Sequence, residues 1–226
     1  QCTGSVVVLD VNDFSVLCAQ SYPNYDLDKY MNDPQYREDL LLNKDGQNAM
    51  WNRCFWQGYP IGSAMKPAVA LAALQEGVID TSTQFRCGYT YYNADMPDFH
   101  PLCMGTHGYL NVIEALTVSC NIFFYDTGYN LGIDNMNLYQ RKLGLGELTG
   151  VEIYESDGTL AGPDEKEDWY GGDTIMAAIG QSDNLITPVQ LATYAATIAN
   201  NGTRLRTHVV DKITDYSRQT VLEETK

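Results

Sequence analysis

The sequence predicts a mixed α/β fold of the α+β kind. Three observations predict it: β-branched apolar runs near the start, alanine-rich and capped helical stretches through the middle, and a hairpin pattern near the end. Gly4-Ser5-Val6-Val7-Val8-Leu9-Asp10 reads as a strand, Val11-Asn12-Asp13 as a turn, and Phe14 to Ala19 as the returning strand. Tyr22 to Gln57 mixes Asn, Asp, Pro and Tyr with little periodicity and reads mostly as loop, with a short helix over Gln35 to Leu42. From Ser63 onward, Ala68-Val69-Ala70-Leu71-Ala72-Ala73-Leu74 is helix-forming and apolar on every side, and Gly77 stands where a helix should end. A buried central helix is expected there.

Asn111 to Val118 reads as a short capped helix, Ile122 to Leu131 as the next, closed by Gly132, and Asn135 to Leu143 as a third, stopped by Gly144. Glu147 to Asp173 is irregular and acidic. Thr187-Pro188-Val189-Gln190 combines an N-cap, a proline at the first helical position and a glutamine at the third, a capping box that opens a helix running to about Asn200. Thr207 to Thr225 is expected to close as a hairpin. With no internal repeat and no low-complexity linker, one domain is the simplest division.

The 226 residues include 44% apolar and 11% aromatic side chains, enough for a proper core. Fourteen Lys and Arg against 29 Asp and Glu leave a formal charge of -15, which opposes phosphate backbones and anionic lipid, so nucleic acid is excluded as a partner. No segment approaches the roughly 20 apolar residues of a membrane helix, and the chain reads as soluble. Gln1-Cys2-Thr3-Gly4 runs at once into a strand without an initiating Met, as a piece of a longer protein would.

The chemistry concentrates in Tyr59-Pro60-Ile61-Gly62-Ser63-Ala64-Met65-Lys66-Pro67. A hydroxyl and an amine three residues apart share one helix face. A Lys66 amine held out of water favours its neutral form and could take the Ser63 proton, while the amides of a helix N-terminus serve a developing oxyanion. The competing reading is that Ser63 merely caps the helix and Lys66 is a solvated first-turn residue.

Taken together, these segments resemble the transpeptidase domain of the penicillin-binding proteins, especially the monofunctional class B group, over nearly the whole chain. Gly62-Ser63-Ala64-Met65-Lys66-Pro67 is similar to the family's Ser-x-x-Lys box, and Ser119-Cys120-Asn121 matches its Ser-x-Asn box. The opening hairpin, the loop Ala19 to Asp26, His107 to Val112, Glu114-Ala115-Leu116, Gly144-Leu145-Gly146, Thr149-Gly150-Val151, Ile179-Gly180-Gln181 and Thr187 to Ala192 follow in the family's order. The resemblance implies the penicillin-binding protein/serine β-lactamase-like fold, a central antiparallel sheet flanked by helices. It implies a D,D-transpeptidase of peptidoglycan synthesis. Ser63 would attack the penultimate D-alanine of a stem peptide, with Lys66 as base, Ser119 relaying a proton to the leaving amine and Asn121 holding the substrate amide and the lysine. β-Lactams would acylate the same serine. No metal or organic cofactor is needed on that route, and the parent protein would face the extracytoplasmic side of the membrane beside other cell-wall synthesis proteins.

The likeness stops short of the family's third box, a Lys-Thr/Ser-Gly triplet: Lys212 and Lys226, the only lysines past the Thr187 helix, are not followed by Thr-Gly or Ser-Gly. Residues 1–226 are therefore expected to be a partial transpeptidase domain. The membrane anchor, the pedestal domain and the C-terminal strands would be absent, the sheet incomplete and the activity of this piece weak, since one lost oxyanion donor costs about a hundredfold or more. Such an edge invites pairing with another chain.

Six cysteines stand at 2, 18, 54, 87, 103 and 120. Cys87, Cys103 and His107 lie in one irregular region, with Cys120 inside the second box. They read as a zinc site, as a Cys87–Cys103 disulfide or as buried thiols, because only Cys103 and His107 have the tight spacing typical of zinc ligands. His100 has no evident partner and reads as structural, and Tyr89, Tyr91 and Tyr92 read as surface packing. For Ser119-Cys120-Asn121 the plain alternative is a helix junction whose polar side chains satisfy backbone groups. Thr187-Pro188-Val189-Gln190 is read as a helix start that contributes no chemistry. Two other functions stay open: a serine β-lactamase or β-lactam sensor, and a non-catalytic scaffold that binds divisome or elongasome partners.

Overall fold

The computed structural model describes residues 2–225, leaving Gln1 and Lys226 outside, and divides into two units. Both are assembled from separated stretches of chain, so no linker in the sequence marks the division. The first comprises residues 1–58, 147–157 and 187–226, and the second 59–146 and 158–186.

In the first unit, β1 (Gly4–Leu9) pairs antiparallel with β2 (Val16–Tyr22), in register from Gly4 opposite Tyr22 to Val8 opposite Cys18, with a one-residue bulge before Leu9 meets Val16. The returning strand starts later than its apolar pattern predicts. Phe14 is fully buried in a left-handed conformation (φ 63°), which ends the turn rather than opening the strand. The region predicted mostly as loop holds an unexpected helix, α1 (Leu27–Asn32), followed by the short helix expected over Gln35 to Leu42, found as α2 (Pro34–Leu41). Asp26 and Asp33 cap them through Lys29 and through Gln35 and Tyr36, and neither helix buries a residue. Local capping, not an apolar stripe, makes these helices, which is why a search for periodicity passes over α1.

The unit's core joins Cys54, Phe55, Val151 and Val189, with Val7 and Trp56 against it. The other helix of this unit is the predicted Thr187 helix, Pro188–Ala199, which packs on β1. A short hairpin of Lys212–Thr214 with Val221–Glu224 closes the chain within the predicted range.

In the second unit a 3-10 turn (Gly62–Met65) leads into α3 (Lys66–Gln75), and β3 (Phe85–Cys87) pairs with β4 (Gly108–Leu110). There follow α4 (Val112–Thr117), α5 (Asn121–Leu131), α6 (Ile133–Lys142) and α7 (Gly171–Ala177), whose start falls inside the stretch predicted as irregular. With α7 counted, the Pro188–Ala199 helix is α8. The hub is α5, which buries Ile122, Phe123, Phe124 and Tyr125 and packs on α3, α6, α7 and β3. The approach of α7 is close: a Cβ on Gly128 would lie 2.3 Å from that of Ala178. The central helix α3 is not buried all round, since Leu71 and Leu74 are exposed. Among the described residues no helix is long and apolar enough to cross a membrane.

Candidate active site

Ser63 sits in the 3-10 turn, and its hydroxyl makes no capping bond to this helix start. A 3-10 turn eclipses side chains three residues apart, which puts Ser63 and Lys66 on one side. The turn is clamped from behind. Tyr59 and Ile186 exchange two backbone hydrogen bonds of 2.9 Å, and the Gly62 amide donates to the Gly180 carbonyl at 3.0 Å. Gly62 and Gly180 both have positive φ, and a Cβ on Gly180 would lie 2.2 Å from the Gly62 oxygen. In the sequence Ile179-Gly180-Gln181 stands out only as a flanking likeness, and the one signal of this support is the glycine itself.

Lys66 is 1% exposed. Its Nζ donates to the Ser119 carbonyl at 2.7 Å, to Asn121 Oδ1 at 2.7 Å and to Ser119 Oγ at 3.0 Å. Ser119 Oγ in turn lies 3.0 Å from Ser63 Oγ and donates to it. The Lys66 amide donates to the Ser63 carbonyl, but among the described residues Lys66 Nζ makes no direct hydrogen bond to the Ser63 hydroxyl. The expected contact is replaced by a hydrogen-bonded link through Ser119, because the corner between α4 and α5 offers the amine three acceptors at once. Burial pushes the Lys66 amine down to about 8, with the Cys103 and Cys120 sulfurs opposing the shift. The reading of Lys66 as a solvated first-turn residue is thereby excluded.

Ser119 owes its place to the end of α4. The Ser119 amide donates to the Leu116 carbonyl and the Cys120 amide to that of Ala115, the two bonds of a Schellman motif. Ser119 occupies the left-handed position of that motif (φ 53°), which glycine usually fills. Holding a serine there costs on the order of 1–2 kcal/mol, and the buried Cys120 and the capped start of α4 (Asn111 with Glu114) keep the corner in place.

Beside this corner the thiols of Cys87, Cys103 and Cys120 are buried, and their sulfurs lie with a His107 ring nitrogen within 4.8 Å of one another. His107 Nδ1 is 3.4 Å from Cys87 Sγ and 3.6 Å from Cys103 Sγ, and the Cys103 and Cys120 sulfurs are 3.9 Å apart. The β3/β4 pairing places Cys87 opposite Gly108, next to His107. All six cysteines are free thiols, so the Cys87–Cys103 disulfide is not formed. Three of the four donors are legible in the sequence as a zinc candidate, and the fold adds Cys120. Asn121 belongs to both groups: its side chain holds Lys66 and its amide donates to Cys103 Sγ at 3.3 Å. His100 is structural, its Nδ1 3.3 Å from the Tyr91 carbonyl. Tyr91 is buried, whereas Tyr89 and Tyr92 are exposed.

An exposed serine linked through a second serine to a buried amine is the layout of a histidine-free serine acyltransferase. The chain belongs to the penicillin binding protein transpeptidase domain family, whose description residues 4–226 match. It is 31% identical over 214 residues to the peptidoglycan D,D-transpeptidase MrdA of Acinetobacter baumannii, covering 92% of this chain and 32% of that protein. Pseudomonas aeruginosa PBP2 in complex with WCK 5153 superposes with a TM-score of 0.86 at 27% identity, over 99% of this chain and 52% of the other. Penicillin-binding protein A of Mycobacterium tuberculosis, as a ceftriaxone acyl-enzyme complex, gives 0.84 at 25% identity over 99% and 51%. The chain spans about a third of the length of the MrdA protein it matches. The resemblance to class B penicillin-binding proteins and the fold class it implied are thus borne out.

Proposed function

We propose that the chain carries the acylation centre of a peptidoglycan D,D-transpeptidase, with Ser63 as nucleophile, Lys66 as base, Ser119 as proton relay and Asn121 as the group that orients lysine and substrate amide. The observation that carries this is the unbroken Lys66–Ser119–Ser63 hydrogen-bond path ending on a buried amine of lowered pKa. As Ser63 Oγ forms its bond to the penultimate D-alanine carbonyl, its proton passes to Ser119 Oγ and the Ser119 proton to neutral Lys66. The Ser63 amide would face the carbonyl oxygen as it gains charge, since the Gly62 and Ala64 amides are bonded to the Gly180 and Ile61 carbonyls. Collapse of the tetrahedral species breaks the bond to the terminal D-alanine, and the proton returns along the same path to its amine. A second amine, from a neighbouring stem peptide, reverses these steps and forms the cross-link. β-Lactams acylate Ser63 in the same way. The parent protein would act at the extracytoplasmic membrane face with other cell-wall synthesis proteins, and the present residues would be part of its transpeptidase domain.

The test is a fluorescent penicillin followed by peptide mass mapping, on the 226-residue chain, on a form continued past Lys226, and on Ser63→Ala of each. Label on Ser63 that is absent from the alanine variant supports the reading, and slow release of the label separates it from a β-lactamase. No label on either form would leave the scaffold reading in possession.

A second reading concerns the sulfur cluster, and its geometry favours zinc over idle thiols. Tetrahedral zinc with sulfur at ~2.3 Å and nitrogen at ~2.0 Å has sulfur–sulfur edges of roughly 3.8 Å and sulfur–nitrogen edges of roughly 3.5 Å. Three of the six separations here are 3.9 Å, 3.4 Å and 3.6 Å, and all six are within 4.8 Å. Cys87, Cys103, Cys120 and His107 would hold the ion in a closed, four-donor site, where it supplies cross-linking of the β3/β4 hairpin to α5 and no catalytic position. Metal analysis of the purified protein should find about one zinc per chain, lost in Cys87→Ser, and a metal-free protein of unchanged thermal stability on zinc addition would refute the site.

A further inference from the structure

We propose that Cys103 and Cys120 form an oxidisable pair whose disulfide disables the catalytic corner, so that a small hydroperoxide stops acylation of Ser63 and a thiol reductant restores it. The inference rests on the acyl-transfer reading of the site. Their sulfurs already touch at 3.9 Å, while the third thiol, Cys87, lies 3.3 Å from the Gly105 carbonyl and 3.4 Å from His107 Nδ1. Cys103 is 4% exposed and Cys120 fully buried, which assigns the first step to Cys103. Its sulfur attacks one oxygen of hydrogen peroxide: an S–O bond forms, the O–O bond breaks, and the thiol proton leaves in a molecule of water. The Cys120 sulfur then attacks the sulfenic sulfur of Cys103. An S–S bond forms, the S–O bond breaks, and the hydroxide leaves with the Cys120 proton as a second water. The two sulfurs together lose two electrons, and the peroxide gains both.

The consequence follows from where Cys120 sits. A disulfide needs sulfurs about 2.0 Å apart, so the pair must close by nearly half its present separation. Cys120 is the residue between Ser119 and Asn121, and all three acceptors of the Lys66 amine belong to those two neighbours. The Asn121 amide, moreover, uses Cys103 Sγ as its acceptor. Ser119 is held in a left-handed conformation by the same short corner. Drawing Cys120 to Cys103 therefore displaces the relay serine and the orienting asparagine together, and a displacement of about 1 Å at such a site is enough to lose on the order of a hundredfold in rate. The exposed thiols Cys2 and Cys18 have no such connection. Zinc on the cluster would occupy both sulfurs and protect them.

The experiment uses the full-length protein in a Cys2→Ser/Cys18→Ser background, reduced and stripped with a chelator, then treated with hydrogen peroxide. Peptide mapping should recover a Cys103–Cys120 cross-link, and fluorescent-penicillin labelling of Ser63 should slow on the order of a hundredfold. Dithiothreitol should reverse both, and zinc added beforehand should prevent both. Cys103→Ser and Cys120→Ser should each keep in peroxide whatever labelling rate they show without it. A different cross-link, none at all, or full labelling in the linked protein overturns the switch while leaving acyl transfer standing. Failure of the reduced protein to label at all overturns the acyl-transfer reading, and the switch falls with it.

Discussion

Two helix starts in this chain carry nearly the same vocabulary, a small hydroxyl residue with a proline close by, and use it in opposite ways. At α8 the Thr187 hydroxyl accepts from the Gln190 amide, and the Gln190 side chain accepts from the Thr187 amide. The Gln190 amide group also donates to the carbonyls of Glu147 and Asp157, so a fully buried pair ties a loop to the helix. At α3 the Ser63 hydroxyl caps nothing, stays exposed, and is joined through Ser119 to a lysine that burial has stripped of water. A hydroxyl spent on backbone amides stabilises. One withheld from them and coupled to a buried amine is free to react. The difference separates structure from chemistry more surely than either motif alone.

Replacing members of each start should widen that contrast. Lys66→Ala should lower the rate of penicillin acylation on the order of a thousandfold, the range of a lost general base, while circular dichroism stays native. Ser119→Ala breaks the only path from Lys66 to Ser63 among the described residues and should cost about a hundredfold in the same assay. Gly180→Ala forces a Cβ towards the Gly62 carbonyl at a positive φ, and should reduce both labelling and stability, by roughly 2 kcal/mol or more in denaturant unfolding. Thr187→Ala removes a cap and should cost about 1 kcal/mol of stability with labelling nearly untouched. If Thr187→Ala abolished labelling, or Lys66→Ala only destabilised, the contrast would fail.

Much of this was legible in the sequence, and the remainder has physical reasons. Ser63 and Lys66 could be named because a hydroxyl and an amine at helical spacing form a pattern that local chemistry makes readable, and Ser119 and Asn121 because their box resembles that of the penicillin-binding family. The position of Ser119 between Lys66 and Ser63 could not be read. Whether Lys66 reaches Ser63 directly or through Ser119 depends on how α5 meets α3, a tertiary fact. The helix α1 escaped because it has no apolar face, and its capping aspartate lies in a stretch that composition marks as loop. Gly180 escaped because a glycine's service to a turn more than a hundred residues away leaves no periodicity. Cys120 was visible as a residue of the second box, but its place in the sulfur cluster needed the β3/β4 hairpin and the start of α5 to come together.

The account turns on neutral Lys66 drawing the Ser63 proton through Ser119, and the pH profile of penicillin acylation tests that most directly. Burial lowers the Lys66 pKa to about 8, so the amine is protonated and inert below that value and becomes a base above it. The acylation rate constant should therefore rise with pH through a single ionisation near 8, and Lys66→Ala should lose that rise. A profile that is flat across this range, or one that falls as pH increases through it, would contradict the account.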